Sequence, residues 1–268
     1  MSTIDTTLHR RLASILGLAL QLARRDLRNR YLGSFSGGAW AFLQPLVQLA
    51  VYSFVFGYVF RQRLPGADAP GYVPFLVVVL WPWTAFAEAV SRATTAIQDN
   101  ASLIGKVALP RAALVLAPVM ASFAIHGVGY LGLLIVMLSA GSGILPSGLA
   151  LMMPALALLF LFALGLALLL SALQVFVRDI APALPQLLML WMFLSPVFYG
   201  RYVMPESARP WFDVNPMTGF AEYLRHVLLG TPSPEWTALA CSGGAVLLTL
   251  CAGLFAFRRL QRHFEDFL

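Results

Sequence analysis

The stretch "RNRYLGSFSGGAWAFLQPL" (Arg28–Leu46) sets a dense run of positive charge against a glycine-broken turn and then an apolar helix carrying Trp40 and Pro45. Outward from it in both directions the chain stays apolar. Hydrophobic residues make up 59% of its 268 positions and charged residues 11%, and mean hydropathy is +0.78. An ordinary soluble domain carries roughly 25% charged residues, so this chain cannot wet its surface. The expectation is an all-α integral membrane protein. On such a chain the net charge of +6 reports cytoplasmic loops and lipid head groups, with no nucleic-acid partner.

A helix needs about 20 apolar residues to cross the hydrocarbon core. Six transmembrane helices are predicted within 37–257: Gly37–Phe60, Tyr72–Ala96, Ala112–Ala140, Gly148–Val177, Ala183–Tyr199 and Trp236–Phe257. Thirteen basic residues flank one side of these spans and five the other, the five matched by five acids. The positive-inside rule then puts both termini in the cytoplasm. No signal peptide is expected at the start, because Arg24, Arg25, Arg28 and Arg30 follow the first apolar run where a cleavage site needs small neutral residues.

Residues 1–32 read as an amphipathic interfacial helix. Leu8, Leu12, Ile15, Leu16, Ala19 and Leu22 recur at helical steps, with Arg10, Ser14, Gln21, Arg24 and Arg28 opposite. A second amphipathic stretch lies in the extracytoplasmic region 200–234. Phe220, Tyr223, Leu224, Val227 and Leu228 share one face, while Glu222, Arg225 and His226 are read as lying off it. Asn215-Pro216 opens this stretch and Gly230 with Pro232 closes it. It is expected to dip back into the membrane as short re-entrant helices, where irregular backbone is tolerated only under cover of protein or a cavity.

Catalytic chemistry is missing. The single lysine, Lys106, is followed by Val107, so the phosphate-cradling Gly-x-x-x-x-Gly-Lys-Ser/Thr loop is absent. His9, His126, His226 and His263 have no ligand spacing, and no metal is expected. Cys241 and Cys251 are ten positions apart on one helix, about 15 Å, too far for a disulfide. His126 is read as a buried neutral side chain bonded to a nearby carbonyl. Glu88 and Arg92 are read as a structural ion pair in the favourable i,i+4 order.

Taken together, Arg28-x-Arg30-Tyr31, Gly33-Ser34, Gly37, Trp40, Leu43 and Pro45 resemble the entrance to the first span in ABC-2-type permeases of polysaccharide export. "VFVRDI" (175–180), "SPVFY" (195–199), Pro205 and Asn215-Pro216 match the same family in the same order. The resemblance runs over nearly the whole chain and looks most like the O-antigen and teichoic-acid exporters, with capsule exporters more distant.

The resemblance implies a type V exporter fold and a bacterial cytoplasmic (inner) membrane location. It implies a homodimer with two separate ATPase subunits below, which would hold the ATP and magnesium; this chain would be no enzyme and carry no cofactor. The cytoplasmic segment 97–110 would be the coupling loop, with Asp99, Asn100, Leu103, Ile104 and Lys106 meeting the ATPase and Asp99 or Asn100 capping a short helix. The cargo would be an undecaprenyl-pyrophosphate-linked polysaccharide, with O-antigen favoured.

Arginine suits a pyrophosphate because its guanidinium gives two parallel hydrogen bonds to phosphate oxygens. Arg25, Arg28, Arg30 and Tyr31 are therefore the candidate head-group residues, with Gly33, Gly37 and Gly38 turning the chain into the first span. Trp40, Phe42, Tyr52, Phe56, Trp191 and Tyr199 are candidates to line the path, since sugar C–H faces stack on aromatic rings. The alternatives are a capsule or teichoic-acid exporter, an ABC-2 small-molecule or drug exporter, and, from another class, a membrane glycosyl- or acyltransferase.

Overall fold

The structure, a computed structural model, describes residues 3–31, 39–60, 71–104 and 109–267. Among them every regular element is helical. Helix α1 (Thr3–Tyr31) precedes α2 (Ala39–Tyr52), which continues into a π-helical turn at Ser53–Val59. Then come α3 (Tyr72–Asp99), the short α4 (Ala101–Ile104), α5 (Arg111–Ser139), α6 (Gly148–Gln174) and α7 (Ile180–Leu194). The chain closes with α8 (Arg209–Val214), α9 (Pro216–Leu229), α10 (Trp236–Leu260) and α11 (Phe264–Phe267). The glycine turn at 33–38 expected to lead into the first span lies outside the described residues.

Five of these helices are long and apolar enough to cross a membrane, within Phe42–Val59, Tyr72–Asp99, Arg111–Ser139, Gly148–Gln174 and Trp236–Phe267. The expected fifth span, Ala183–Tyr199, departs from this. Its helix, α7, has 15 residues, about 22 Å of rise, short of the roughly 30 Å hydrocarbon core. Pro196 is the cause: it disfavours helical backbone at the residue before it, and Ser195 is indeed extended, with ψ 155°. The count of six spans is therefore not reached by helix length among the described residues.

Helix α3 forms the centre. Its N-terminal half is buried in an unbroken run from Pro74 to Trp83, the mark of a helix surrounded on all sides. Helices α5, α6 and α9 pack around it, and α10 lies against α6. That last contact depends on the absence of side chains: a Cβ on Gly253 would come within 2.2 Å of the Gly165 carbonyl oxygen. Small residues let membrane helices approach at the backbone, where dispersion contacts are made without help from water.

Helix α1 lies against α5. Ala23 packs on Ala117 and Ala121, and Ala19 is fully buried. Leu16, expected on the same stripe, faces outward and is 49% exposed. At the end of the bundle that carries the chain termini, Gln98 and Gln174 exchange hydrogen bonds of 3.1 Å. Nearby, the Arg111 guanidinium bonds Glu265 and the Gln261 carbonyl, and Phe264 is buried beside Phe176 and Phe257.

Candidate functional site

Helix α1 presents Arg24, Arg25 and Arg28 on an exposed face. With Gln21 and Asn29 they line an open cavity of about 430 Å³. The periodicity is the reason: positions 19, 22, 23, 26 and 27 turn toward the bundle, so the arginines between them turn out. Three guanidiniums on one turn and a half offer geometry for an oxyanion. Arg30 and Tyr31 belong to the last turn of α1, and their side chains lie outside the described residues.

Asp26, between these arginines in sequence, points inward to α3. Its Oδ1 accepts from the Arg92 guanidinium at 2.6 Å. The expected Glu88–Arg92 pair is thus corrected. The i,i+4 rule weighs only neighbours on one helix, whereas tertiary partners take both residues. Glu88 Oε2 lies 2.7 Å from His126 Nε2, and Ser122 Oγ donates to Glu88 Oε1 at 3.0 Å. His126 is 4% exposed and has this carboxylate, rather than a carbonyl, as its ring partner. A signal for it was present: two titratable groups stood inside apolar spans, and such groups pair with one another.

A second cavity, about 230 Å³, separates α1 from α3 and α5. Arg25 and Asn29 line it from α1, and Arg92, Asp99 and Asn100 from α3 and its end. Arg25 and Asn29 line both cavities, which are therefore neighbours.

The coupling segment is described in part. Asp99 accepts from the Thr95 hydroxyl at 2.8 Å, and Asn100 donates back to the Ala96 carbonyl at 2.8 Å. Both side chains serve the end of α3; among the described residues neither caps α4, against expectation. Leu103 is half-buried and available to a partner, but Ile104 is 5% exposed and belongs to the core. Lys106 lies outside the described residues.

The aromatic candidates divide. Trp40 is 55% exposed, while Phe42 sits with Trp81 over Gly129. Tyr52 and Phe56 each hold Phe198 at 4.8 Å between ring centroids. Trp191 is committed to the interior: its Nε1 donates to Asn215 Oδ1 at 3.0 Å, and its ring stands edge-on to Trp83, Phe86 and Phe162. The ring remains partly exposed. The Tyr199 hydroxyl donates to the Phe193 carbonyl.

At the opposite end the chain after α7 runs irregularly through 195–200, with Ser195, Val197 and Phe198 buried. Its carbonyls are met by two side chains. Tyr72 donates to Phe198 O at 2.9 Å. Arg225 of α9 reaches Val197 O at 2.8 Å, and Tyr199 O and Phe75 O at 3.4 Å, with its guanidinium carbon 3.5 Å from the Phe75 ring centre. Arg225 is 3% exposed, which corrects its expected place off the buried face. Asn215 caps α9 by accepting from Met217 N, and Gly230 ends it at φ 67°, as the sequence signals anticipated. Arg201 clamps this region to Asp213 at 2.7 Å and to Glu235 at 2.6 Å. Burial raises the Glu222 carboxyl above its usual range, with Arg201 opposing.

The profile of the ABC-2 type transporter family matches residues 18–229. The chain is 33% identical to the O-antigen export system permease protein RfbA of Myxococcus xanthus, over 93% of this chain and 95% of the relative. It is 26% identical to a protein of the same name from Klebsiella pneumoniae, over 96% and 97%. Identity is 23% to the polysialic acid transport protein KpsM of Escherichia coli, over 87% and 90%. An all-helical bundle with several apolar spans, matched along most of its length, belongs to the ABC-2 type transporter family of membrane permeases.

Proposed function

We propose that this chain is the permease subunit of an exporter that moves an undecaprenyl-pyrophosphate-linked polysaccharide, O-antigen foremost, across the bacterial inner membrane. A permease of this family works in an ABC transporter with a partner ATPase. In the proposed assembly two copies of the chain meet two ATPase subunits, both termini are cytoplasmic, and α1 lies along the cytoplasmic interface. The segment around Asp99–Leu103 is where the ATPase would press. The exposed faces of α2 and α7, with Leu43, Val47, Leu187 and Leu190 outward, are where a second copy would close the path.

The observation that carries the cargo class is the exposed Arg24–Arg25–Arg28 face beside the bundle. A plain topology anchor needs positive charge but no particular geometry, whereas a phosphate ligand profits from the arginine fork. Capsule polysaccharide is the second reading, favoured by the likeness to a polysialic acid transport protein. It would use the same face, because the requirement is for a phosphate-bearing lipid.

The test is Arg28→Lys in the permease–ATPase complex. Losing one charge-assisted hydrogen bond, roughly 1.5–3 kcal/mol, should weaken lipid-linked cargo binding about tenfold or more. Stimulation of ATP hydrolysis by added cargo should fall with it. Wild-type export and stimulation in that variant would reduce the arginines to anchors.

A further inference from the structure

The two neighbouring cavities around α1 point to a division of labour within the head-group site. We propose that Arg92, on α3, is the residue that distinguishes a pyrophosphate from a single phosphate, with Asp26 holding its place until the lipid arrives. The inference rests on the head-group reading above and adds a second side to that site.

Four features carry it. Arg25 and Asn29 line both cavities, so a ligand on the outer arginine face borders the inner cavity directly. Arg92 lines that inner cavity from the bundle side. Its guanidinium is only partly committed: one nitrogen bonds Asp26 at 2.6 Å, while Nε is buried with no hydrogen-bond partner among the described residues. An arginine with a buried, unused donor is costly to leave so. Finally, the Arg92 side chain is 36% exposed and that of Asp26 27%, so the pair is reachable and not sealed in the core.

The chemistry follows from the spacing of charge. A lipid monophosphate is served by the outer face alone. A pyrophosphate carries a second phosphate joined through one bridging oxygen, and needs donors on its far side. Arg25 and Asn29 stand between the two cavities, and Arg92 stands beyond them. The second phosphate would take the Arg92 fork in place of the Asp26 carboxylate, one anion exchanged for another on the same cation. Asp26 is then a competitor of the ligand, and not merely a strut for α1. Asp99, on the same cavity, is held by the Thr95 hydroxyl and keeps its charge, so it sets the far limit of where the second phosphate can sit.

Competition and bracing predict opposite signs. If Asp26–Arg92 only pinned α1 to α3, Asp26→Asn and Arg92→Gln would break the same bond and do the same damage. If Asp26 competes, Asp26→Asn should help the pyrophosphate lipid and Arg92→Gln should hurt it. The measurement is binding of undecaprenyl pyrophosphate and undecaprenyl monophosphate to the detergent-purified permease–ATPase complex, read as the ratio of the two affinities. Arg92→Gln should lower the preference for pyrophosphate about tenfold, and Asp26→Asn should raise it severalfold. A shift in the same direction in both variants, or an unchanged ratio in either, overturns the proposal. Arg28→Lys, measured alongside, should weaken both lipids together. Loss of the Arg92 effect with the Arg28 effect intact removes only this inference, and loss of the Arg28 effect removes the head-group reading itself.

Discussion

At the end of the bundle bearing the termini, Arg24, Arg25 and Arg28 stand exposed on α1; at the other end Arg225 is 3% exposed, with its guanidinium on three backbone carbonyls and over a phenyl ring. The same side chain has two uses, and surroundings decide which. On α1 no hydrogen bond or ion pair holds the three guanidiniums among the described residues, so their donors are open to a ligand. On α9 two of the three acceptors, Val197 O and Tyr199 O, are supplied by a stretch, 195–200, that has left the helix and would otherwise bury bare carbonyls. An irregular segment inside an apolar protein needs donors from elsewhere, and an arginine supplies five from one side chain. The second arrangement holds the fold, and the first leaves its guanidiniums unspent.

That contrast breaks most readily at Arg225. Substituting Met keeps bulk but leaves the carbonyls of Val197 and Tyr199 without this donor, and strips Phe75 O of its contact beyond the α3 ladder. Each buried acceptor left without a donor costs about 1–3 kcal/mol. Arg225→Met should therefore lower the unfolding temperature of the purified permease more than any single substitution on α1. Lys in its place keeps one point of contact and should recover part of the loss. A melting curve for Arg225→Met equal to wild type would mean that the irregular segment is held by its apolar packing alone.

Between the two ends lies Glu88 with His126 and Ser122, an intermediate case of a polar contact within the bundle. His126→Phe removes the 2.7 Å contact while filling much of the same space. The expected cost is about 1 kcal/mol, that of an ordinary hydrogen bond, because the Glu88 carboxylate is 33% exposed and water can replace the lost donor. Glu88→Gln, which keeps an acceptor oxygen, should cost less. If the two variants melted together, the contact would depend on the carboxylate charge, and an acceptor oxygen alone would not sustain it.

Five of the spans, the helix at the start of the chain and the limits of α9 were legible because each has a local cause. Apolar runs of the right length, Asn215 at a helix start and Gly230 at its end act through their own neighbourhood. Arg225 was misread for the opposite reason. Its stripe, Thr218, Ala221, Arg225 and Leu228, is buried throughout, yet a lone arginine beside Glu222 and His226 reads as a solvated face. Only the folded position of residues 195–200 supplies its acceptors. Glu88 and Arg92 failed likewise: Asp26 and His126 come from other helices, and spacing along one helix carries no word of them. Ile104 is buried and Leu16 exposed, because a short stretch's pattern does not say how its helix is rotated against a neighbour. The fifth span came out short because Pro196 stops the helix before the apolar run ends.

The smallest expected effect sharpens the comparison from the other side. Arg28→Lys and Arg25→Lys should leave the unfolding temperature almost unchanged, within about 0.5 kcal/mol, as for surface substitutions remote from buried contacts. The reason is visible in the contacts: both side chains are exposed, and α1 is held to α5 through Ala23, Ala117 and Ala121 and to α3 through Asp26, none of which involves these guanidiniums. The same conservative exchange at Arg225 removes donors from buried carbonyls, so Arg→Lys at positions 28 and 225 should differ in stability by several degrees of melting temperature. A destabilisation at position 28 comparable to that at 225 would mean that the exposed arginines also hold the fold, and their claim to be kept for a ligand would lapse.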